Sequence, residues 1–192
     1  IGLSHYDTTR AVIEIESLFK GQWANGMLPQ IVFNEKELGH YFPEPDFWQT
    51  QRSPDAPRGI LTSGITMPPV HAIAVEEIYN NAHDKKDVLP FLEKIYPKLM
   101  ALHSYLYRQR DPHDEGLVYI RHPWESGIDN SPSWDLPLKQ IRIKELPSYT
   151  RKDLDHGVAP SMRPSDDYYD RYVFLVDLFR RCDYDETRIK GK

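Results

Sequence analysis

The stretch HPWESGIDNSPSWD, residues 122–135, packs three carboxylates, two tryptophans and a set of turn formers into one short polar segment. Asp129 lies between Gly127-Ile128 and Asn130-Ser131-Pro132, so its side chain rides on a turn stiffened by glycine and proline, not on a helix face. Such a turn aims a carboxylate. Trp124 and Trp134 flank it with flat apolar faces suited to the C–H faces of a pyranose, and they lower the local dielectric around the acid. The plainer alternative is an N-capping Asp beside buried tryptophans in an ordinary loop. The density of features in so short a segment favours a sugar-handling loop.

Working outward, the bulk numbers describe a chain able to fill one ordinary domain: 192 residues, a formal net charge of −5 and 40% hydrophobic content. The balance is acidic and no Lys/Arg-rich stripe occurs, so nucleic acid and anionic membrane surfaces have no electrostatic support as partners. No apolar run approaches the ~20 residues of a membrane span. Cys182 is the only cysteine, which excludes an internal disulfide framework and fits a reducing, cytoplasmic compartment. At the end of an apolar helix it reads as a small packing residue. The eight histidines are dispersed with no HxxxH or cysteine pair, so no metal site is expected; no GxSxG elbow supports an esterase, and no cofactor is called for. His122 reads as a residue that orders the loop.

Periodicity places four helices. Ala11, Val12, Ile15, Leu18 and Phe19 recur at helical spacing over Thr8–Lys20, with Asp7 to cap the start and Gly21 to follow the end. Residues 22–66 carry many prolines and the aromatics Trp23, Phe33, Tyr41, Phe42, Phe47 and Trp48, the composition of a long ordered loop acting as a lid or wall. A second helix runs from Pro68-Pro69 toward Asn81, and a third from about Asp87 to Arg110 with Pro90 in its first turn and Pro97 as a local kink. Gly116–Ile120 is expected as a short strand leading into the 122–135 loop. Residues 136–164 read as irregular, and Ser165 caps a final helix with a wide apolar face built from Tyr168, Tyr169, Tyr172, Val173, Leu175, Val176 and Phe179. Long connections of this kind do not suit a tidy bundle, whose helix links take ~2 to 8 residues.

The 122–135 stretch, together with Ile1-Gly2-Leu3, Asn25-Gly26-Met27-Leu28-Pro29, Ser63-Gly64-Ile65-Thr66-Met67-Pro68-Pro69, and Arg163-Pro164-Ser165 with Tyr169-Asp170-Arg171-Tyr172, resembles bacterial glycoside hydrolase family 63 in its mannosylglycerate and glucosylglycerate hydrolase-like branch. The likeness runs over essentially the whole chain. It implies an all-α fold, part of an (α/α)6 toroid of helical hairpins with long irregular loops and at most short strands. Residues 1–192 are then a partial catalytic domain.

The resemblance implies an inverting O-glycosyl hydrolase with Asp129 as general acid, acting on a small glycoside with an acidic aglycone such as glucosylglycerate or mannosylglycerate. The opposite-face base is expected to be a glutamate beyond Lys192, and a Trp-Asp pair that faces substrate in the family precedes Ile1-Gly2-Leu3 and is not among these residues. Arg163 is the candidate for the aglycone carboxylate, its planar fork holding two parallel hydrogen bonds; Tyr169 and Tyr41 are candidates for the same group, and Trp124 for the sugar. For Arg163 an ion pair with Asp166, Asp167 or Asp170 is the structural alternative. Glu125 and Asp135 share Asp129's loop, which makes them poor opposite-face bases; Glu125 is weighed both as a substrate contact and as an acceptor for backbone or Arg hydrogen bonds. Met67 occupies a substrate-contacting position where relatives carry Gln, whose amide can bond a sugar hydroxyl, so substrate preference stays open there. Ser63 and Thr66 are weaker polar candidates. A small-molecule glycoside is the expected partner, and a homo-oligomer is compatible with it. A non-catalytic carbohydrate-binding or interaction fragment, and a trehalase-like or oligosaccharide glucosidase, are the competing functions.

Overall fold

A computed structural model describes residues 1–111, 113–152, 157, 159 and 162–190; Pro112 and most of the irregular stretch between 153 and 161 lie outside the described residues. Four main helices form where periodicity places them: α1 (Thr8–Phe19), α3 (His71–Asn81), α4 (Lys85–Arg110) and α6 (Asp166–Arg181). Three short helices join them: α2 (Pro45–Trp48), α5 (Asp135–Gln140) and α7 (Glu186–Lys190).

The helix ends follow side-chain chemistry. Asp7 Oδ1 accepts from Arg10 N–H at 2.8 Å and Asp84 Oδ1 from Lys86 N–H at 2.9 Å, each satisfying a donor with no partner inside the helix. Lys85 Nζ donates to the carbonyls of Tyr79, Asn80 and Ala82, closing the C-terminus of α3. The second helix starts at His71, after the paired prolines and not at them. Each residue before a proline is pushed away from the helical region, which holds both Met67 and Pro68 out of a helix. α4 runs through Pro90 and Pro97 as one helix of 26 residues.

The expected strand at 116–120 does not form. Among the described residues the sole β contact is an isolated antiparallel bridge between Val32 and Thr62. Among the described residues, 116–120 have one backbone–backbone bond, Tyr119 N–H to Arg110 O at 2.9 Å, and Gly116 N–H donates to Asp111 Oδ2 at 2.7 Å, while Leu117, Val118 and Ile120 are exposed. An extended segment without a neighbouring edge has no ladder to join.

Two cores result. α1, α3 and α4 bury Ala11, Phe19, Val75, Ile78, Phe91, Ile95 and Leu102 against one another. The second core is built differently: the 22–66 segment lays Trp23, Phe33, Trp48 and Ile65 over Tyr105 and Leu106 of α4 and Val176 and Phe179 of α6. Its irregular backbone is held by side chains, Trp23 Nε1–H to Thr62 Oγ1 at 3.1 Å, Ile31 N–H to Ser63 Oγ at 3.0 Å and Thr66 Oγ1–H to Leu28 O at 2.9 Å. Ser63 and Thr66 are therefore buried loop fasteners. Gly64 is required by contact, because a Cβ there would lie 2.0 Å from the Tyr184 ring. Cys182 is buried at the end of α6 as a packing residue. Among the described residues no helix is long and apolar enough to cross a membrane.

Candidate active site

The 122–135 segment folds as two single 3-10 turns, Pro123–Ser126 and Pro132–Trp134, separated by the turn that carries Asp129 and followed directly by α5. Each begins with a proline, whose missing N–H is no loss at a first helical position. Gly127 closes the first turn in the left-handed region, at φ 70°.

His122 is fully buried and uses both ring nitrogens. Nδ1 accepts the N–H of Trp124 at 3.1 Å, so the proton resides on Nε2, which donates to the carbonyl of Tyr172 at 3.1 Å. Burial pushes this imidazole down to about 4, against the smaller opposing pull of the Tyr172 carbonyl and Glu125. It orders the loop, as the sequence suggested.

Glu125 is buried beneath the loop with both oxygens engaged. Arg110 grips it with two bonds of 2.8 Å, and the backbone N–H groups of Arg121 and Thr66 add bonds of 2.9 and 3.2 Å. Burial alone would raise its pKa; the Arg110 pair and these N–H donors win and hold it below the usual carboxylate range. Arg110 also meets Glu186 of α7 at 3.2 Å, Arg121 pairs with the same carboxylate, and Tyr105 donates to it at 2.8 Å. Two arginines and two glutamates thus form a charge-balanced buried cluster.

Asp129 differs in every respect. It is half-buried, and among the described residues its carboxylate accepts no hydrogen bond; only its backbone carbonyl does, from Tyr172 Oη at 3.0 Å. The carboxylate faces a cavity of about 330 Å³ lined by Asp129, Asn130, Asp135, Arg163, Tyr168, Tyr172 and neighbouring loop residues. The cavity brings together Asp129 and Arg163, 34 positions apart in the chain. Arg163 Nε is buried without a hydrogen-bond partner among the described residues. The aspartates weighed as its partners are engaged elsewhere: Asp166 with Arg151, Asp167 with Arg171, and Asp170 with the hydroxyl of Tyr149.

The other candidates lie around this cavity or apart from it. Tyr169 is buried behind it, with Arg151 stacked 3.9 Å over its ring and the rings of Phe42 and Tyr172 about it. Tyr41 packs edge-on against Phe33 and its hydroxyl accepts from Asn34 N–H at 3.2 Å, in a loop that Lys152 ties down through Glu44 and the Gly39 carbonyl. Trp124 is half-buried against His122 and Tyr172. Met67 lines a separate, more apolar cavity of about 380 Å³ with Pro68, His103, Tyr107 and Tyr119. Tyr168 and Tyr172 escape a sequence reading because their rings serve the apolar face of α6; the signal was in their hydroxyls. Tyr168 donates to Asp135 at 2.5 Å on the cavity wall. No group of three His, Cys, Asp or Glu side chains suited to a metal ion occurs among the described residues.

An all-α scaffold whose irregular loops bring Asp129 and Arg163 to one cavity defines a helical protein with a polar, loop-built pocket. Comparison with known proteins makes this particular. Residues 1–192 match the family described as the mannosylglycerate hydrolase MGH1-like glycoside hydrolase domain, and the chain belongs to that family. It is 49% identical over 192 residues to the mannosylglycerate hydrolase of Rubrobacter radiotolerans, covering 99% of this chain and 43% of that protein. It is 43% identical over 195 residues to the glucosylglycerate hydrolase of Mycolicibacterium hassiacum, covering 98% and 44%. The structure superposes on that of the GH63 mannosylglycerate hydrolase from Thermus thermophilus in complex with Tris and D-glycerate, with a TM-score of 0.89, 44% identity, and coverage of 100% of this chain and 44% of that one. The all-α expectation, with the chain forming part of a helical toroid, agrees with that superposition. The chain spans under half the length of these relatives.

Proposed function

We propose that these 192 residues are the acid-bearing part of the catalytic domain of an inverting glycosidase, acting on a small glycoside with an acidic aglycone such as glucosylglycerate or mannosylglycerate. The observation that carries this reading is the shared cavity: a carboxylate and a buried guanidinium Nε, neither with a hydrogen-bond partner among the described residues, line the same space of about 330 Å³. Arg163 binds the aglycone carboxylate, which satisfies its open donor. Asp129 then lies beside the glycosidic oxygen and protonates it as the bond to the anomeric carbon breaks. Inversion needs a second carboxylate ~6.5 to 9.5 Å away on the other face of the sugar, to activate the attacking water. Glu125 is spent on Arg110 and Asp135 is bonded to Tyr168 on the acid's own side, so neither serves. The family likeness implies a glutamate beyond Lys192 for that base.

Tyr169 and Trp124 support the aglycone and sugar walls from behind, and Tyr41 holds the loop that flanks them. Glu125 enters as the residue that fixes the loop's base. Relatives act on both mannosyl- and glucosylglycerate by name, which supports the glycerate class more firmly than either sugar. The test is Asp129→Asn in the full-length protein with glycosylglycerate as substrate: kcat is expected to fall by about 10²- to 10⁴-fold, the range a positioned general acid supplies. Undiminished release of glycerate by this variant would refute the assignment.

A further inference from the structure

We infer that Tyr172 is a positioning residue for the general acid, holding the acid-bearing turn through its backbone. This rests on the reading of Asp129 given above. Among the described residues the Asp129 carboxylate has no hydrogen bond of its own, so its aim is set by the backbone that carries it. The 127–131 turn is bonded within the 122–135 segment by Ser126, Ser131 and Trp134. Its one hydrogen bond to anything outside that segment, among the described residues, is Tyr172 Oη–H to Asp129 O at 3.0 Å.

The same residue holds the segment's other end. Its backbone carbonyl accepts the Nε2–H of His122 at 3.1 Å, and its fully buried ring packs on His122 and Trp124 with centroids 5.5 Å away in each case. Tyr172 lies on α6, whose start follows Arg163 by Pro164 and Ser165. One helix therefore sets the acid and the arginine relative to each other, with Tyr172 lining the cavity between them. Misplacement of a reacting group by ~1 Å can cost about 10²-fold in rate, and a carboxylate anchored only by its main chain is exposed to that loss.

Tyr172→Phe keeps the ring and deletes one hydroxyl. In the full-length protein, kcat on glycosylglycerate is expected to fall about 10- to 100-fold with KM within about twofold. On a dinitrophenyl glycoside, whose leaving group departs without a proton, kcat is expected to stay within about twofold, because acid catalysis is not needed there. A merely structural role would lower both substrates alike, and an equal loss, no loss, or a change in KM alone overturns the inference. Asp129→Asn run alongside separates the two levels. If it shows no such leaving-group split, Asp129 is not the acid and both statements fall; if it does and Tyr172→Phe does not, only the positioning role falls. Amide hydrogen exchange on the full-length protein gives a reading free of turnover. Tyr172→Phe should speed exchange across 127–131 and leave 122–126 unchanged, whereas unaltered exchange across 127–131 overturns the tether.

Discussion

The two halves of the 122–135 loop treat their polar groups in opposite ways. Residues 122–126 spend them inward: both nitrogens of His122 and both oxygens of Glu125 are bonded to protein. Residues 127–131 leave theirs outward, with the Asp129 carboxylate toward a cavity and only the main chain tied back. Two carboxylates four positions apart thus divide the labour. One holds the scaffold, with both oxygens bonded to protein; the other has no hydrogen bond among the described residues and is open to a ligand. A buried unpaired ion is costly, so Glu125 needs Arg110, whereas a half-exposed carboxylate can go without.

The largest effects should separate the halves. Asp129→Asn is expected to abolish most activity while changing stability by no more than about 0.5 kcal/mol, the usual scale for a surface substitution that removes no contact. Glu125→Gln should do the reverse, because it leaves Arg110 buried with its bidentate partner neutralised; breaking a buried pair costs about 3–5 kcal/mol. Urea unfolding of both variants measures this directly. Equal destabilisation would mean that Asp129 carries structural weight not visible in its contacts.

Acid should act on the inner half. His122 in the folded chain titrates at about 4, below its ordinary value of 6.5, so between these pH values the unfolded chain takes up a proton that the native one refuses. Stability is then full above about pH 6.5 and falls as pH drops toward 4, by roughly 3 kcal/mol if the whole displacement is expressed. Glu125, held low by Arg110 in the folded state, adds a loss of the same sign as pH falls below the unfolded carboxylate range. Unfolding curves at pH 7 and pH 4.5 should show the decline, and His122→Gln should flatten the part of it above pH 5. A profile flat in the parent protein would place water or another hydrogen-bond acceptor beside His122.

The same contrast explains what could be read from sequence. α1 and α6 were legible because an apolar period coincides with a residue type that opens helices, Asp7 and Ser165, although Ser165 holds the N-cap position without the side-chain bond that Asp7 makes. α2, α5 and α7 were not, since four to six residues hold too little period to detect, although Pro45 and Asp135 at their starts are helix-opening residues. The 116–120 segment, Gly-Leu-Val-Tyr-Ile, has the composition of a strand, but pairing depends on a neighbour that local sequence does not reveal. In the site, Asp129 stood out through its turn chemistry and Arg163 through the family likeness. Their meeting is a tertiary fact. Glu125's part in a buried cluster with Arg110, Arg121 and Glu186 depends on residues up to 76 positions apart, and no spacing rule reaches that far.

The smallest effect tests how lightly the outer half is held. Trp134 Nε1–H donates to Ile128 O at 3.0 Å in an exposed setting, one of the few bonds that shape the Asp129 turn. Trp134→Phe removes that donor and keeps an aromatic face, and a single exposed hydrogen bond contributes about 0.5–1.5 kcal/mol. The midpoint of urea unfolding is therefore expected to shift only slightly, well short of the Glu125→Gln shift. The Ile128 carbonyl keeps the Ser131 N–H at 2.9 Å and is exposed to water, whereas Arg110 beneath Glu125 is buried. If Trp134→Phe cost as much as Glu125→Gln, the outer turn would be as integral to folding as the inner one, and the free Asp129 carboxylate would owe its position to the core and not to a surface turn tethered by Tyr172.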